Sequence, residues 1–236
     1  MNDDVKIIRR LIRLENIDST NLEARRLMEK YGSDAIGTMI VSDSQDAAYG
    51  RRGVRWHSPP GGLYISFILK PMSDFSFSPA MAVVVAEAIG DETAVKWPND
   101  MYIADGKIGG IMVESSDIGA ILGIGINTFS KDMLNPVING NAATLAISVR
   151  ARESLLSRLM EQLQIGISLF FAEGFKPFLA RFESRSLLKG KRVVVAVGNV
   201  NIKGRVMGIS DDGKLVLQEM GGGIIKLDTG SIVEYE

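Results

Sequence analysis

The pentapeptide Lys96-Trp97-Pro98-Asn99-Asp100 follows an apolar run and marks a point at which a β-strand must end. Proline, asparagine and aspartate are disfavoured inside strands, so the strand stops at the lysine. Lys96 is therefore the last residue of the strand, and its ammonium group is directed at the space beside that end of the sheet. A cation held in this way is suited to binding an anion. On the local pattern alone, a solvated lysine at a strand end explains the same residues equally well.

Composition limits the classes of function open to the chain. Its 236 residues are 46% hydrophobic and carry 27 basic and 28 acidic side chains, for a formal net charge of -1 at pH 7. That length allows one sizeable core with a small appended domain. The near-neutral charge argues against a general binder of nucleic acid or of membrane surfaces. No apolar run approaches the ~20 residues of a membrane span, and the first residues lack the apolar core of a signal peptide, so a soluble cytoplasmic protein is expected.

Two scarce residue types exclude further chemistry. The chain has no cysteine, which excludes disulfides, thiolate nucleophiles and cysteine-bound zinc. His57 is the one histidine, so a histidine-rich metal site cannot form and a serine–histidine–aspartate mechanism would depend on this residue alone. Its place in a loop beside Trp56 favours an incidental polar role over that of a catalytic base.

Helix-like and strand-like segments alternate through the first three quarters of the chain. Thr20 and Glu23 have the spacing of a capping box and open a predicted amphipathic helix. A nearly all-apolar helix over residues 78–89 should be buried against a sheet. Asp105-Gly106 between two strand-like runs predicts a hairpin. A long amphipathic helix is expected over about residues 152–171.

After residue 185 the pattern changes to short strands separated by turns. Asp211-Asp212-Gly213 and Gly221-Gly222-Gly223 supply two of those turns. About fifty residues of this kind predict a small β-barrel as a second domain. We therefore expect a main domain over residues 1–186 and a C-terminal β domain over residues 187–236.

A second cluster with chemical meaning is the stretch Gly50-Arg51-Arg52-Gly53-Val54-Arg55-Trp56. Glycines on either side of adjacent arginines give a backbone that can close over a ligand. Guanidinium groups recognise carboxylates and phosphates through two parallel hydrogen bonds. A solvated basic loop or a DNA-binding patch would also account for these residues, so several interpretations stay open on the local pattern.

Two predicted neighbouring strands carry paired glycines. They are Gly109-Gly110, just after Lys107, and Gly123 and Gly125, in the segment that ends at Asn127. Paired glycines leave a floor without side chains, where a flat ligand can approach the backbone, and they would equally allow the sheet to curve. Asn127 can both donate and accept hydrogen bonds. The chain has neither a dinucleotide fingerprint nor a P-loop, so any ATP is held in another way.

Taken in order, these motifs resemble those of the biotin–protein ligase family. The match covers about residues 14–145, and the C-terminal β segment resembles the small SH3-like domain of that family. The Lys-Trp-Pro-Asn-Asp motif is the most specific part. The residues that carry the resemblance are Ser19-Thr20-Asn21, Gln45, Gly50-Arg51-Arg52-Gly53, Trp56, Lys96-Trp97-Pro98-Asn99-Asp100, Lys107-Ile108-Gly109-Gly110 and Gly125-Ile126-Asn127.

The resemblance implies an α+β fold. A mixed β-sheet catalytic domain would carry helices on one side, and a small SH3-like β-barrel would follow at the C-terminal end. It also implies two half-reactions. Biotin and ATP, with Mg²⁺, would give biotinyl-5′-AMP and pyrophosphate, and the acyl group would then pass to a lysine of a biotin carboxyl carrier protein domain. A homodimer is a further expectation from the family, and the magnesium ligands are not assigned.

Site residues follow from the resemblance, position by position. Lys96 and Arg51 would be catalytic, because they place fixed positive charge where a carboxylate and the α-phosphate must meet. The biotin site would contain Ser19, Thr20, Asn21, Gln45, Tyr49, Gly50, Arg51, Lys96, Gly109, Gly110 and Gly125. The ATP and adenylate site would contain Arg51, Arg52, Trp56, Lys96, Asn99 and Asn127. Asp100 is a candidate base for the acceptor lysine.

One stretch departs from the family pattern. The family loop usually reads Gly-Arg-Gly-Arg, whereas the matching stretch here is Ala48-Tyr49-Gly50-Arg51. Tyr49 stands where the first arginine would be, so a phosphate contact could be lost, and adenylate retention or loop-linked dimerisation could differ. Arg51 and Lys96 remain, so activity is still expected.

Three other functions stay open at the level of sequence. Some relatives carry an N-terminal winged helix and are also repressors, but here the pattern begins within the first twenty residues, which together with the near-neutral charge disfavours a DNA-binding regulator. A lipoate-type acyl ligase shares the fold and the use of a lysine, and the Lys-Trp-Pro-Asn-Asp motif and the arginine loop favour biotin. The Ala48-Tyr49 change alone makes a non-catalytic biotin-binding or carrier-binding protein plausible.

Overall fold

A seven-stranded mixed sheet forms the larger part of the computed structural model, which describes residues 7–134 and 141–236. Its strands are β1 (Arg10–Ile17), β2 (Thr38–Gln45), β3 (Leu63–Leu69), β4 (Ala94–Lys96), β5 (Asp100–Ile103), β6 (Gly106–Ser115) and β7 (Ala120–Ile126). They lie in the order β1-β2-β3-β7-β6-β5-β4. β1 and β2 pair in parallel, and every other neighbouring pair is antiparallel.

Helices cover both faces of this sheet. Within the described residues they are α1 (Thr20–Tyr31), α2 (Phe77–Ile89), α3 (Val149–Glu173) and α4 (Leu179–Arg185). α2 and α3 pack over one face, whose buried strand residues include Phe67 and Leu122. α1 covers the opposite face, where Ala24 and Met28 form a separate apolar cluster with Ile68. No helix in the described part of the chain is long and apolar enough to cross a membrane.

The start of α1 corrects one local expectation. The capping box predicted from Thr20 and Glu23 is not formed, since Ser19 is the N-cap residue and its side chain makes no capping hydrogen bond. The Thr20 hydroxyl instead lies 3.1 Å from Gln45 Oε1, to which it donates, and it accepts a hydrogen bond from Ser66. Tertiary contacts have taken the hydroxyl that the capping box would have used.

The C-terminal sheet is antiparallel throughout. Its strands are β8 (Arg192–Val197), β9 (Val200–Ile209), β10 (Leu215–Glu219), β11 (Ile224–Leu227) and β12 (Ser231–Tyr235), in the order β11-β10-β9-β8-β12. The sequence pattern predicts strands over residues 192–197, 203–209, 215–218 and 224–227, which correspond to β8 to β11, and it misses β12. Ile232 and Val233 are adjacent in that segment, so it shows no clear alternation, and only its pairing with β8 identifies it as a strand.

The two sheets share one apolar core. Val195 and Leu217 of the C-terminal sheet belong to the same buried cluster as α2 and the large sheet. The Trp97–Pro98 peptide bond is cis, and the Trp97 indole Nε1 donates to the Gly213 carbonyl oxygen at 3.2 Å. One residue of the Lys-Trp-Pro-Asn-Asp motif is therefore a structural link between the two sheets.

The expected α+β fold, with a mixed main sheet and a small SH3-like C-terminal β part, is confirmed. The expectation that helices share one side of the main sheet holds for α2 and α3, whereas α1 lies on the other face. There its apolar residues Ala24 and Met28 meet a second buried surface of the sheet. The boundary between residues 186 and 187 stays a prediction.

Replacing Trp97 tests the attachment of the C-terminal sheet. Trp97→Phe removes the donor to a buried carbonyl oxygen, so we expect the free energy of unfolding to fall by about 1–3 kcal/mol. Urea denaturation followed by circular dichroism measures the change. Tyr31→Phe, at an exposed tyrosine, should change it by less than about 0.5 kcal/mol. Equal stability of Trp97→Phe and the unmodified protein would contradict this role.

Candidate functional site

A cavity of about 280 Å³ lies on the face of the large sheet that carries α1. Its walls come from the start of α1, the end of β2, the loop between β2 and β3, and strands β5, β6 and β7. Ser231 of β12 also lines it. The cavity therefore lies where the main sheet, the arginine loop and the C-terminal sheet meet.

Glycines form the floor of this cavity. A Cβ atom added at Gly123 would lie 2.5 Å from Asn21 Oδ1, and one added at Gly125 would lie 2.7 Å from Trp56 Nε1. Both strand positions must stay bare for the amide and the indole to lie directly on the sheet. The predicted floor without side chains is present, and part of it is occupied by the protein's own Trp56.

Only one residue of the Gly109-Gly110 pair faces the cavity. Gly110 lines it, and a Cβ atom there would lie 3.2 Å from Asp100 Oδ1. A Cβ atom at Gly109 would lie 2.8 Å from Met101 Cε, in the core. Because successive strand residues point to opposite faces, adjacent glycines cannot both contribute to one floor. The assignment of Gly109 as a direct ligand contact therefore has no geometric support.

A hydrogen-bonded polar cluster lies beside the first turn of α1. The backbone N–H of Thr20 donates to Gln45 Oε1 at 2.8 Å, and Gln45 Nε2 donates to Ser58 Oγ at 3.0 Å. Ser66 Oγ donates to Thr20 Oγ1 at 2.8 Å. Ser19, Thr20 and Gln45 line the cavity. The unpaired N–H groups of a helix start favour a polar or negatively charged ligand group at this place.

Arg51 holds the loop between β2 and β3 over the cavity. It opens the short 3₁₀ turn Arg51–Gly53. Its Nη1 donates to Asn99 Oδ1 at 2.9 Å, and its Nη2 donates to the Gly230 carbonyl oxygen at 3.1 Å. Burial lowers the pKa of the Arg51 guanidinium, and the Asp100 carboxylate opposes that shift. An arginine keeps its charge at neutral pH, so the loop brings a partly buried cation to the cavity.

Lys96 faces the C-terminal strand in this structure. Its Nζ lies 4.8 Å from the centroid of the Tyr235 ring and 3.4 Å from the Ile232 carbonyl oxygen. The side chain is not among those that line the cavity. Burial lowers the pKa of the Lys96 ammonium group; Asp100 opposes the shift and the positive charge of Lys107 adds to it. The lysine is thus a partly desolvated cation close to other cations.

Lys107 is a site residue that sequence analysis missed. Its Nζ forms a 2.7 Å ion pair with Asp100 Oδ1 and lies 5.2 Å from the Trp56 ring centroid, and all three residues line the cavity. Alternation would place Lys107 on the face of Gly109, in the core. A β-bulge at this point of β6 shifts the register and puts the lysine on the cavity face instead. No sequence signal marks that bulge.

The structure brings most of the predicted site residues together. Those that line the cavity are Ser19, Thr20, Asn21, Gln45, Tyr49, Gly50, Arg51, Trp56, Asn99, Gly110 and Gly125. Those that do not are Lys96, Gly109, Arg52 and Asn127. Arg52 is exposed, and its Nη2 lies 3.4 Å from the Ala196 carbonyl oxygen. Asn127 is buried, and its Nδ2 donates to the Ala143 carbonyl oxygen at 2.8 Å, which holds a neighbouring segment in place.

Comparison with known proteins assigns both parts of the chain. The sequence profile of the Biotin/lipoate A/B protein ligase family matches residues 14–128, and that of the Biotin protein ligase C terminal domain matches residues 189–233. The bifunctional ligase/repressor BirA of Escherichia coli strain K12 is 34% identical over 227 residues, which cover 89% of this chain and 69% of BirA. The chain belongs to the biotin protein ligase family.

A second relative and a solved structure agree with this family assignment. The biotin–acetyl-CoA-carboxylase ligase of Paracoccus denitrificans is 28% identical over 227 residues, covering 87% of this chain and 92% of the relative. The biotin protein ligase from Aquifex aeolicus in complex with biotin and ATP is 30% identical, with a TM-score of 0.84 over 97% of this chain and 99% of that one. The resemblance inferred from the motifs is confirmed.

Gly125→Ala tests the glycine floor. The added Cβ would lie 2.7 Å from Trp56 Nε1, so the indole must lift towards solvent. The chain has two tryptophans, so a Trp97→Phe background leaves Trp56 as the sole emitter. We expect its fluorescence to shift to the red and its quenching by acrylamide to increase. Gly221→Ala, where a Cβ meets nothing within 4 Å, is the control, and unchanged emission in Gly125→Ala would contradict the contact.

Proposed function

We propose that the chain joins biotin to ATP and then to protein. In the first step a biotin carboxylate oxygen attacks the α-phosphorus of ATP, and biotinyl-5′-AMP forms as pyrophosphate leaves. In the second step the ε-amine of a lysine in a biotin carboxyl carrier protein domain attacks the acyl carbon. AMP leaves and the amine loses a proton, which gives the biotinylated carrier.

One arrangement carries this proposal: a neutral polar cluster and a set of cations lie on the same glycine floor. Thr20 and Gln45 at one side suit the polar head group of biotin, for which they supply hydrogen-bond donors and acceptors. Arg51 and Lys107 at the other side suit its carboxylate and the phosphates of ATP. Gly125 lets the flat part of the ligand approach the strands.

The cations solve the main difficulty of the first step. A carboxylate and a triphosphate repel each other, and negative charge builds up where they react. Arg51 already lies at the cavity as a partly buried cation, and a charge placed in advance is most effective when water is excluded. Lys96 is held against Tyr235, so its side chain would have to turn away from β12 to reach the reacting groups.

The second step needs an unprotonated acceptor lysine. A lysine amine has a pKa of about 10.4, so a base at the site would raise the reactive fraction. Asp100 lines the cavity beside Lys107 and is the carboxylate placed to accept this proton. The mixed anhydride is itself a reactive acyl donor, which lowers the demand on the base.

Magnesium would enter as the ion of MgATP. Within residues 7–134 and 141–236, no three histidine, aspartate or glutamate side chains gather into a metal-binding group. Mg²⁺ is commonly held by substrate phosphates with one or two carboxylates, and Asp100 at the cavity fits that pattern. When bound, the ion would neutralise phosphate charge, and Arg51 and Lys96 would still orient the carboxylate.

We also infer a cytoplasmic homodimer that does not bind nucleic acid. β1 is an edge of the large sheet and Leu11 on it is 37% exposed, so strand pairing with a second copy has a surface available. The net charge of -1 supports the absence of nucleic-acid binding. Analytical ultracentrifugation tests the dimer.

One assay separates the proposed function from its alternatives. The protein is incubated with MgATP and either labelled biotin or labelled lipoate, with and without a biotin carrier domain. We expect pyrophosphate release with biotin and not with lipoate. The carrier domain should become labelled only in the reaction that contains biotin. Transfer of lipoate would favour the lipoate-type ligase. Tight biotin binding without pyrophosphate release would favour a non-catalytic binding protein and overturn the proposal.

Truncation of the two cations tests their roles. We expect Arg51→Ala and Lys96→Ala each to lower the rate of biotinyl-5′-AMP formation on the order of 10²-fold, by analogy with the loss of one oxyanion donor. Single-turnover pyrophosphate release measures this. Lys70→Ala removes an exposed cation at the far end of β3 and should leave the rate unchanged. A loss below about threefold in Lys96→Ala would remove this lysine from the mechanism.

The pH dependence of the first step tests the charge state of Lys96. Burial lowers its pKa from the ordinary value of 10.5, and the proposed role requires the charged form. With both substrates far below saturation, where the rate reports the free protein, the rate should therefore fall as the pH rises through a value below 10.5. Lys96→Arg stays charged throughout this range, so its residual rate should lack that alkaline limb. An identical limb in Lys96→Arg would assign it to another group.

A further inference from the structure

A polar cluster that contains two residues not assigned above, Glu114 and Arg25, joins the arginine loop to α1 and β6. Glu114 Oε1 accepts hydrogen bonds from Asn21 Nδ2 at 2.6 Å and from the Tyr49 hydroxyl at 3.2 Å. Its Oε2 pairs with Arg25 of α1, and Arg25 Nη2 also donates to the Tyr49 hydroxyl at 3.3 Å. One carboxylate thus links a helix, a strand and a loop.

Tyr49 stands at the base of a closed turn. It forms an antiparallel bridge with Arg55 on the returning side, so the residues between them move as one unit. That unit has an attachment at each side. Arg51 binds Asn99 towards the C-terminal sheet, and Tyr49 binds Glu114 towards α1. Loss of the second attachment leaves the turn held by Arg51 and Arg52 at the side of the C-terminal sheet, with no side-chain bond from Tyr49 towards α1.

At neutral pH the Tyr49 hydroxyl stays protonated and the Arg25 guanidinium stays charged. Burial, followed by the nearby Glu114 carboxylate, raises the pKa of the Tyr49 hydroxyl, so it remains a neutral donor. The hydrogen bond and charge of Glu114 raise the pKa of Arg25. The tyrosine can donate its one proton to the carboxylate and accept from the guanidinium at the same time.

We propose that Glu114, Tyr49 and Arg25 form a latch that keeps the arginine loop closed over the cavity, and that Asn21 couples this latch to the head-group end of the site. Glu114 and Arg25 are positioning residues, because they act through Tyr49 and Asn21, which line the cavity. The proposal rests on the proposed function in one respect: biotinyl-5′-AMP is the molecule that the closed loop would retain.

The identity of residue 49 supports a fastening role. An arginine here, as in the usual family loop, would offer charge to a phosphate. The tyrosine hydroxyl is directed to Glu114 and Arg25 instead. The loop is therefore attached to α1 and β6 of the protein itself.

Tryptic nicking of the ligand-free protein tests the latch without reference to activity. Arg51, Arg52 and Arg55 are cleavage sites in the loop. We expect Tyr49→Phe and Glu114→Gln to speed cleavage there about fivefold, the change for losing one ordinary hydrogen bond to a locally opening segment. Tyr31→Phe is the matched control and should not change it. Equal nicking rates in Tyr49→Phe and the unmodified protein would overturn the latch.

Escape of biotinyl-5′-AMP tests the coupling. Labelled biotinyl-5′-AMP is formed on the protein, and an excess of unlabelled biotin is then added. Tyr49→Phe should release the labelled adenylate about fivefold faster than the unmodified protein. Glu114→Gln should speed escape and also weaken biotin binding, because it perturbs Asn21 as well. The double variant Tyr49→Phe/Glu114→Gln should release adenylate no faster than Glu114→Gln alone. Additive effects of the two substitutions would contradict the proposal that both act through the Glu114 carboxylate. If the unmodified protein forms no adenylate while its loop is protected from trypsin, the proposed function fails and the latch stands.

Discussion

The division of the large sheet into two unlike faces is the constraint on which the rest of the structure depends. One face is covered by α2 and α3 and carries the larger cluster of buried apolar side chains. On the other, α1 covers only part of the sheet with Ala24 and Met28, and Gly123 and Gly125 leave bare backbone beyond it. Because successive side chains of a strand point to opposite faces of the sheet, the same strands determine the residues on both faces. A ligand can approach the second face closely only because the first supplies the stability.

Positive charge is in excess at the boundary between the two sheets. Arg51, Lys96 and Lys107 lie near a single cavity carboxylate, that of Asp100. Burial lowers the pKa of Arg51 and Lys96, which means that the protein holds these charges at a cost. An anionic ligand removes that cost when it binds. The interaction of Lys96 with Tyr235 supplies weaker compensation, on the order of 0.5–2 kcal/mol for a cation over an aromatic ring, so a carboxylate or phosphate can displace it.

Sequence reasoning located the site through the resemblance of its motifs to one family, because each local pattern alone also had a structural explanation. The arginine loop, Gln45 and Thr20, assigned through that resemblance, all reach one cavity. It failed where position depends on tertiary register. Gly109 faces the core, and the β-bulge in β6 turns Lys107 into the cavity. The Asn127 side chain donates to the backbone carbonyl oxygen of Ala143 and does not line the cavity. Alternation allows only one of two adjacent glycines to face the cavity, but it does not say which one, and it does not reveal the bulge, because a one-residue shift reverses the face of a strand residue.

The tyrosine at position 49 changes the balance between affinity and order. An arginine at position 49 would add a charge-assisted bond to phosphate, but an open loop must lose backbone freedom when the ligand arrives, at roughly 1–2 kcal/mol per residue fixed. Here the hydroxyl of Tyr49 and the carboxylate of Glu114 fix the loop beforehand. Part of that entropy is lost on folding and not on binding, which favours the ligand. The same attachment opposes opening, so release of the intermediate to a carrier lysine would require the Glu114 contacts to break first.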